Sequence, residues 1–288
     1  MIVCIVIPVH NEEEFLPKCL ESLVSQNRQP DELILVDDNS TDNSGEILDQ
    51  YSEQYDWIKA IHIQSSSDHL PGGKVIKAFQ SGLKEVQSNF DIICKYDADI
   101  VFPENYIESI VGLFEADPKL GICGGLPYIK VNGEWKFENI ASRDHVRGPV
   151  KAYRKTCFED IGGLKAAVGW DTLDVLLAEY HGWNVYTAKN LPVKHLKPTG
   201  KSYRKSARLL QGEAMYRMRY GLILSCIALG KGAFHRKQGA FLFNGIRGYF
   251  QASSNKPEYL VTEEEGRFIR DRRWKNIWKK LNPFRRRN

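Results

Sequence analysis

The first hundred residues alternate short β-branched runs with stretches of helical periodicity, and that alternation restricts the chain to an α/β sheet more firmly than any other feature. Ile2–Val9 reads as a buried strand, with near-continuous apolar residues. Asn11, with Glu14 three residues on, has the pattern of a capping box, and Phe15, Leu16, Cys19, Leu20, Leu23 and Val24 follow at helical spacing. Glu32–Asp37, Trp57–Ile63 and Asp91–Asp97 are predicted as the next three strands. Ile47, Leu48, Tyr51 and Tyr55 mark the helix between the second and third strands. Val75, Ile76, Phe79, Leu83 and Val86, after the break at Pro71-Gly72-Gly73, mark the one between the third and fourth. Such alternation implies a doubly wound, mainly parallel sheet.

In sheets of this kind ligands bind beyond the carboxyl ends of the strands. The polar clusters His10-Asn11-Glu12, Asp37-Asp38-Asn39-Ser40, Ser65–Lys74 and Asp97-Ala98-Asp99 each follow a strand, so all four are expected at one sheet edge. The last is the most informative. Two carboxylates one residue apart at a strand end are hard oxygen ligands of the kind Mg²⁺ or Mn²⁺ prefers, with remaining positions kept for water and phosphates. Gly72-Gly73-Lys74 lacks the G-x-x-x-x-G-K-[ST] pattern, since Val75 takes the Ser/Thr place, and Lys74 reads as a cation at a helix N-terminus near a base or diphosphate.

Beyond Asp99 the pattern turns mixed. Asn105–Glu115 and Thr172–Tyr180 are predicted helices, and Gly121–Val131, Trp135–Ile140, Val150–Arg154 and Asn184–Lys197 predicted strands. From Ser202 the chain looks helical and amphipathic. One α/β domain over 1–200, in halves of about 1–100 and 101–200, with a helical extension over 201–288, fits this order.

The six cysteines are scattered with no Cys-x-x-Cys pair, which points to reduced core thiols rather than a disulfide frame or zinc site. No run reaches membrane-spanning length, and a cytoplasmic location is expected. The net charge of +4 hides an asymmetry: Gly266–Asn288 carries ten Lys/Arg against one Asp, leaving the other 265 residues with 30 basic and 35 acidic side chains. Within that tail Trp274, Ile277, Trp278 and Leu281 share a helical face beside Arg272, Arg273, Lys275, Lys279 and Lys280. Aromatic anchors among basic residues suit an interfacial helix on anionic lipid, which places the protein at the inner face of a plasma membrane; a solvated helix or an RNA-binding arm are the competing readings. The acidic body speaks against extended nucleic-acid contact, and no nucleic-acid partner is expected.

The series VIPVHNEEEFLPKCLESL, ELILVDDNSTDNS, YDADIVFP, Tyr153-Arg154-Lys155 with Ile161-Gly162-Gly163-Leu164, and GWDTLD resembles family 2 glycosyltransferases of the GT-A fold, over about Ile2 to Gly200. The resemblance implies an inverting, metal-dependent enzyme of bacterial envelope type. It would move a sugar from a nucleoside-diphosphate sugar, UDP-linked by family weight, to a saccharide or lipid-linked acceptor. It implies that Asp38 binds the nucleotide base and that Pro8, His10, Asn11 and Glu12 line the nucleotide side. Asp99 becomes the principal ligand of Mn²⁺ or Mg²⁺, with Asp97 a ribose or water-mediated metal contact, Ala98 between them on the substrate side, and His195 a further metal ligand. Asp171 matches the family's general base, where Trp170 replaces the usual Glu and is read as a surface for stacking an acceptor sugar. Asp174, one turn on, would share the face of Asp171. The rivals are a sugar nucleotidyltransferase, which would want a Gly-rich, Arg-containing loop where His10-Asn11-Glu12 stands, and a non-catalytic sugar-nucleotide-binding protein. A dehydrogenase is disfavoured by the absence of G-x-G-x-x-G after the first strand.

Overall fold

A computed structural model describes residues 1–64, 72–198 and 205–281. In chain order the elements are β1 (Val3–Val9), α1 (Leu16–Val24), β2 (Glu32–Asp38), α2 (Ser44–Gln54), β3 (Ile58–Ile63), α3 (Gly73–Leu83), β4 (Ile92–Tyr96), β5 (Ile100–Val101), α4 (Tyr106–Ala116), β6 (Leu120–Val131), β7 (Glu134–Phe137), β8 (Val150–Arg154), α5 (Lys155–Asp160), α6 (Trp170–Tyr180), β9 (Asn184–His195), α7 (Lys205–Arg217), α8 (Leu222–Arg236), α9 (Gly239–Asn255) and α10 (Glu263–Leu281).

The sheet runs β3-β2-β1-β4-β8-β6-β9-β5, with β7 hydrogen-bonded to β6. Its first four strands are parallel, as the alternation predicts. Antiparallel β8 then joins the parallel half to the mixed half, where β6 and β9 run parallel and β5 pairs antiparallel with β9. Both faces are covered. Ile5, Ile7, Leu20 and Tyr106 belong to one core, Val6, Ile34, Phe79 and Tyr153 to the other. That two-sided burial explains why the strands read as continuous apolar runs.

The second core extends into the C-terminal helices through Met215, Leu229 and Ile269, so α7–α10 are packed on the sheet domain. The crossing of α7 and α9 depends on glycine. A Cβ on Gly212 would stand 1.8 Å from the Gly245 carbonyl oxygen, and one on Gly248 2.0 Å from that of Leu209. On α10, Trp274 and Ile277 pack against this core, while Trp278 is 63% and Leu281 68% exposed. The tail's apolar face is therefore split, half of it spent on the protein itself. Among the described residues no helix is long and apolar enough to cross a membrane. The cysteines are all free thiols, five of them buried. Most of the predicted loop Ser65–Lys74, and the last seven tail residues, lie outside the described residues.

Candidate active site

The loops after β1 and β2 are tied to each other by short polar side chains. His10 Nδ1 lies 2.7 Å from the Asp38 carbonyl oxygen. Asn11 takes φ +54°, and its side-chain oxygen accepts the Thr41 N–H at 2.7 Å, while Ser40 Oγ accepts the Asn11 N–H and Ser44 Oγ the Glu12 N–H. The expected capping box is thus not formed. Asn11 serves the neighbouring loop, and α1 starts behind Phe15 without a side-chain cap. Asp37 is committed to His62 and to the Ser40 N–H, both at 3.0 Å. Burial works against its charge, but these bonds outweigh it and hold the carboxyl below its usual range. Asp38 follows at the strand end, and half-buried Pro8 on β1 pairs with Val36, two residues before it. Lys74 stands in the first turn of α3, whose N-terminal Gly72 lies against the Ala167–Trp170 turn.

At the end of β4 the Asp-Ala-Asp run divides its work. Asp97 forms an ion pair with the buried ammonium of Lys95, and its N–H is held by the Pro149 carbonyl at 3.0 Å. Ala98 is 4% exposed and packs in the first core, so its side chain does not line a substrate surface as expected. Asp99 is 8% exposed; one carboxylate oxygen lies 3.3 Å from His195 Nε2, and the other is buried with no hydrogen-bond partner. His195 Nδ1 lies 2.9 Å from Glu138, which in turn lies 3.3 Å from the Arg147 guanidinium. Burial would lower the imidazole's pKa, but Asp99 and Glu138 overcome it and carry His195 up to about 9. Glu12 joins the same corner. Burial first, then the charges of Asp99 and Asp97, push its carboxyl up against the pull of Lys197, whose ammonium is 2.7 Å from one oxygen; the other is buried and unpartnered.

Buried polar atoms without partners are rare enough to call for a missing one. The unpartnered oxygens of Glu12 and Asp99 are hard donors of the type Mn²⁺ or Mg²⁺ takes. No three His, Cys, Asp or Glu side chains among the described residues are grouped so as to hold a metal ion alone. The remaining ligands would be phosphate oxygens and water, the usual arrangement for Mg²⁺ in nucleotide sites.

At the start of α6 two of the three singled-out residues depart from expectation. Asp174 is 3% exposed and saturated: both its oxygens lie within 2.7 Å of the fully buried Lys151 ammonium, and the Tyr153 hydroxyl donates to one of them at 2.5 Å. It is a core ion pair, not a substrate contact. Trp170 is 7% exposed, with the Lys95 and Lys151 ammonium groups 5.3 and 5.5 Å from its ring centre and Gly148 packed on its edge, so it is no platform for a sugar. It instead cements the Lys95–Asp97 pair to the Lys151–Asp174 pair. Asp171 alone turns outward, its side chain 35% exposed and 3.7 Å from His145 Nε2. Burial works to raise its pKa, but His145, Lys151 and Arg147 prevail and keep it below the usual range. At neutral pH it is an ionised, partly accessible carboxylate at the start of a helix.

Lys95, Glu138, His145, Arg147 and Lys151 all shape this site without having been singled out from the sequence. Lys95 and Lys151 carried one available signal, a cation inside an otherwise apolar strand, which requires a buried partner. Glu138, His145 and Arg147 lie between β7 and β8 and carried none.

Strand-end polar loops, a DxD corner and an outward carboxylate on an α/β sheet define a ligand-binding edge of a doubly wound fold. The sequence profile of Glycosyl transferase family 2 matches residues 4–165, more than half of the chain, and the chain belongs to that family. Curated relatives include the beta-monoglucosyldiacylglycerol synthase of Synechocystis sp., 34% identical over 215 residues covering 67% of this chain and 43% of that one. The probable glycosyltransferase YdaM of Bacillus subtilis is 30% identical over 201 residues, covering 62% and 44%. The chain thus spans less than half the length of these relatives. Among solved structures, a mannosyltransferase from Pyrobaculum calidifontis in complex with GDP-Man and Mn²⁺ superposes with TM-score 0.58 at 16% identity, covering 98% of this chain and 81% of that one. Residues 1–349 of TarS from S. aureus with UDP-GlcNAc superpose with TM-score 0.56 at 18% identity, covering 75% and 67%. These two establish the shared GT-A architecture.

Proposed function

We propose that the chain is a divalent-cation-dependent, inverting glycosyltransferase that takes a UDP-linked sugar and glycosylates a hydroxyl of a saccharide or lipid-linked acceptor in cell-envelope synthesis. The observation that carries this reading is the outward, ionised Asp171, one buried tryptophan away from the acidic corner at Asp97–Asp99. Relatives named for lipid glucosylation and neighbours holding UDP-GlcNAc or GDP-Man with Mn²⁺ support the donor and acceptor classes.

Asp38 accepts a hydrogen bond from the base, and the clamped His10–Glu12 loop borders the nucleotide. Asp99 and, once it has given up its proton, His195 would hold the cation, with Asp97 a weaker contact because Lys95 already pairs with it. The bound cation supplies charge neutralisation at the diphosphate, worth several kcal/mol in the transition state. Asp171 takes the acceptor hydroxyl's proton as that oxygen bonds the anomeric carbon; the bond from that carbon to the diphosphate oxygen breaks, and the nucleoside diphosphate leaves with the electron pair. One displacement inverts the centre. His145 and Lys151 keep Asp171 unprotonated beforehand. The exposed Trp278 and Leu281, with Lys275 and Lys279, rest on an anionic lipid surface.

The test is turnover with a panel of nucleotide sugars, each with Mn²⁺ or chelator. Asp171→Asn should lower kcat by roughly 10²–10⁴ while leaving nucleotide affinity unchanged. Full turnover in that variant removes the assignment of the base.

A further inference from the structure

His62, on the edge strand β3, lies between two carboxylates from different elements. Its Nδ1 is 3.0 Å from an Asp37 oxygen on β2, and its Nε2 is 3.0 Å from an Asp49 oxygen on α2. A neutral imidazole carries one N–H, so it would donate to one of these oxygens and set a lone pair against the other. Both contacts are favourable only when the ring is an imidazolium. The hydrogen bond to Asp37, then that to Asp49, raise its pKa above the ordinary value against the pull of burial. Gly45, in the first turn of α2, brings only uncharged backbone to the pair: a Cβ there would stand 3.5 Å from both the ring and Asp37. Among the described residues no other charged group is within ion-pair distance of the ring, and Lys59 on the same strand pairs with Glu85.

Asp37 passes this hold to the turn after β2. Its side chain is 10% exposed, and its second oxygen accepts the Ser40 N–H at 3.0 Å. Within that turn Asn39 takes φ +57°, a left-handed conformation that a residue with a side chain keeps only with support. The turn is fastened on both sides of Asn39, at the Ser40 N–H by Asp37 and at the Asp38 carbonyl by His10 Nδ1 at 2.7 Å. Ser40 Oγ then accepts the Asn11 N–H at 3.1 Å. One chain of hydrogen bonds thus runs from Asp49 through His62, Asp37 and Ser40 to Asn11, and Asp38 lies inside it. A charge-assisted hydrogen bond is roughly twice as strong as a neutral one, so the charge on His62 sets how firmly Asp37 is held.

We propose that His62 is a positioning residue of the donor site: as an imidazolium shared by Asp37 and Asp49, it fixes the Asp38-Asn39-Ser40 turn in the form that receives the nucleotide. It acts through Asp37 rather than by contact with the nucleotide. This deepens the glycosyltransferase reading and rests on its assignment of Asp38 to the base. Reciprocity sets the direction of the pH effect. A protonated ring that favours nucleotide requires that nucleotide favour the protonated ring by the same factor, so the benefit is full at low pH and lost as pH rises through the pKa of His62.

The test is UDP affinity with Mg²⁺ by titration calorimetry on the whole protein, with GDP in its place should UDP not bind. His62→Leu should weaken binding roughly tenfold, and His62→Gln, whose amide donates without a charge, should recover part of that loss. The ratio between wild type and His62→Gln should narrow from about pH 6 to about pH 9, as the ring loses the charge that the amide lacks. Other titrating groups are common to both proteins and cancel in that ratio. In ¹³C-labelled protein, the histidine Cε1 resonance missing from His62→Gln identifies the ring, and its titration midpoint should rise when UDP and Mg²⁺ are added. Unchanged affinity in His62→Leu would overturn the proposal, as would a ratio constant with pH or a midpoint indifferent to nucleotide. A mere brace for the edge strand would lower the melting temperature and leave those readouts still. Should His62→Leu fail to fold, His62→Gln and the ring titration decide. A wild type that binds neither UDP nor GDP loses the glycosyltransferase reading and this role with it; binding left intact in every variant loses the role alone.

Discussion

The start of α6 and the loops after β1 and β4 hold buried carboxylates in opposite ways. Asp174, on the acceptor side, has every need met by Lys151, Tyr153 and its helix neighbour's N–H. Asp99 and Glu12, at the ends of the parallel strands, each keep a buried oxygen with no partner. A saturated ion pair fixes geometry and binds nothing further. An unsaturated one leaves a buried oxygen free for a further partner. The difference separates scaffold from site more sharply than the sequence motifs do, since all three acids lie in them.

Breaking the saturated pair should give the largest loss of stability. Asp174→Ala strands a buried ammonium, and about 3–5 kcal/mol of unfolding free energy should disappear in urea titration. Joint replacement by Lys151→Met and Asp174→Leu should recover most of it; a joint variant as unstable as the single one would contradict the view of this pair as scaffold. Next comes the support of the open corner. Glu138→Gln weakens the carboxylate that fixes the His195 ring, and Mn²⁺ affinity measured by electron paramagnetic resonance with UDP should fall roughly 10–100-fold, with little change in melting temperature. Unchanged affinity would reduce Glu138 to packing.

The third effect is a pH dependence of the metal-free protein. His195 is raised from 6.5 to about 9 by Asp99 and Glu138 despite its burial. Its contribution is fully present below about 6.5 and lost as pH rises through about 9, worth up to about 3 kcal/mol. Chemical unfolding with chelator at pH 6 and 9.5 should show that loss, and His195→Gln should flatten it.

Much of the parallel half was legible because each strand is a continuous apolar run that ends at a polar cluster. β5, two residues long, exists only through its pairing with β9 from ninety residues away, and no local pattern announces it. α5 is a six-residue turn of helix that follows β8 directly, without a cap. Strand-end position foretold where Asp38 and Asp99 stand in the fold. Spacing misled at α6, where Asp171 and Asp174 lie one turn apart yet face solvent and core respectively. Only Lys151, buried on β8, decides which way each looks. Glu138 was invisible because its role depends on a loop folding back over His195, 57 residues later.

The central claim is that Asp99, left unsatisfied, is there for a divalent cation that a nucleoside diphosphate completes. Mn²⁺ titration by electron paramagnetic resonance, with and without UDP, tests this on the wild type and on Asp99→Ala. Nucleotide-dependent Mn²⁺ binding in the wild type that vanishes in the variant is the predicted result. Equal Mn²⁺ binding in both proteins would contradict it.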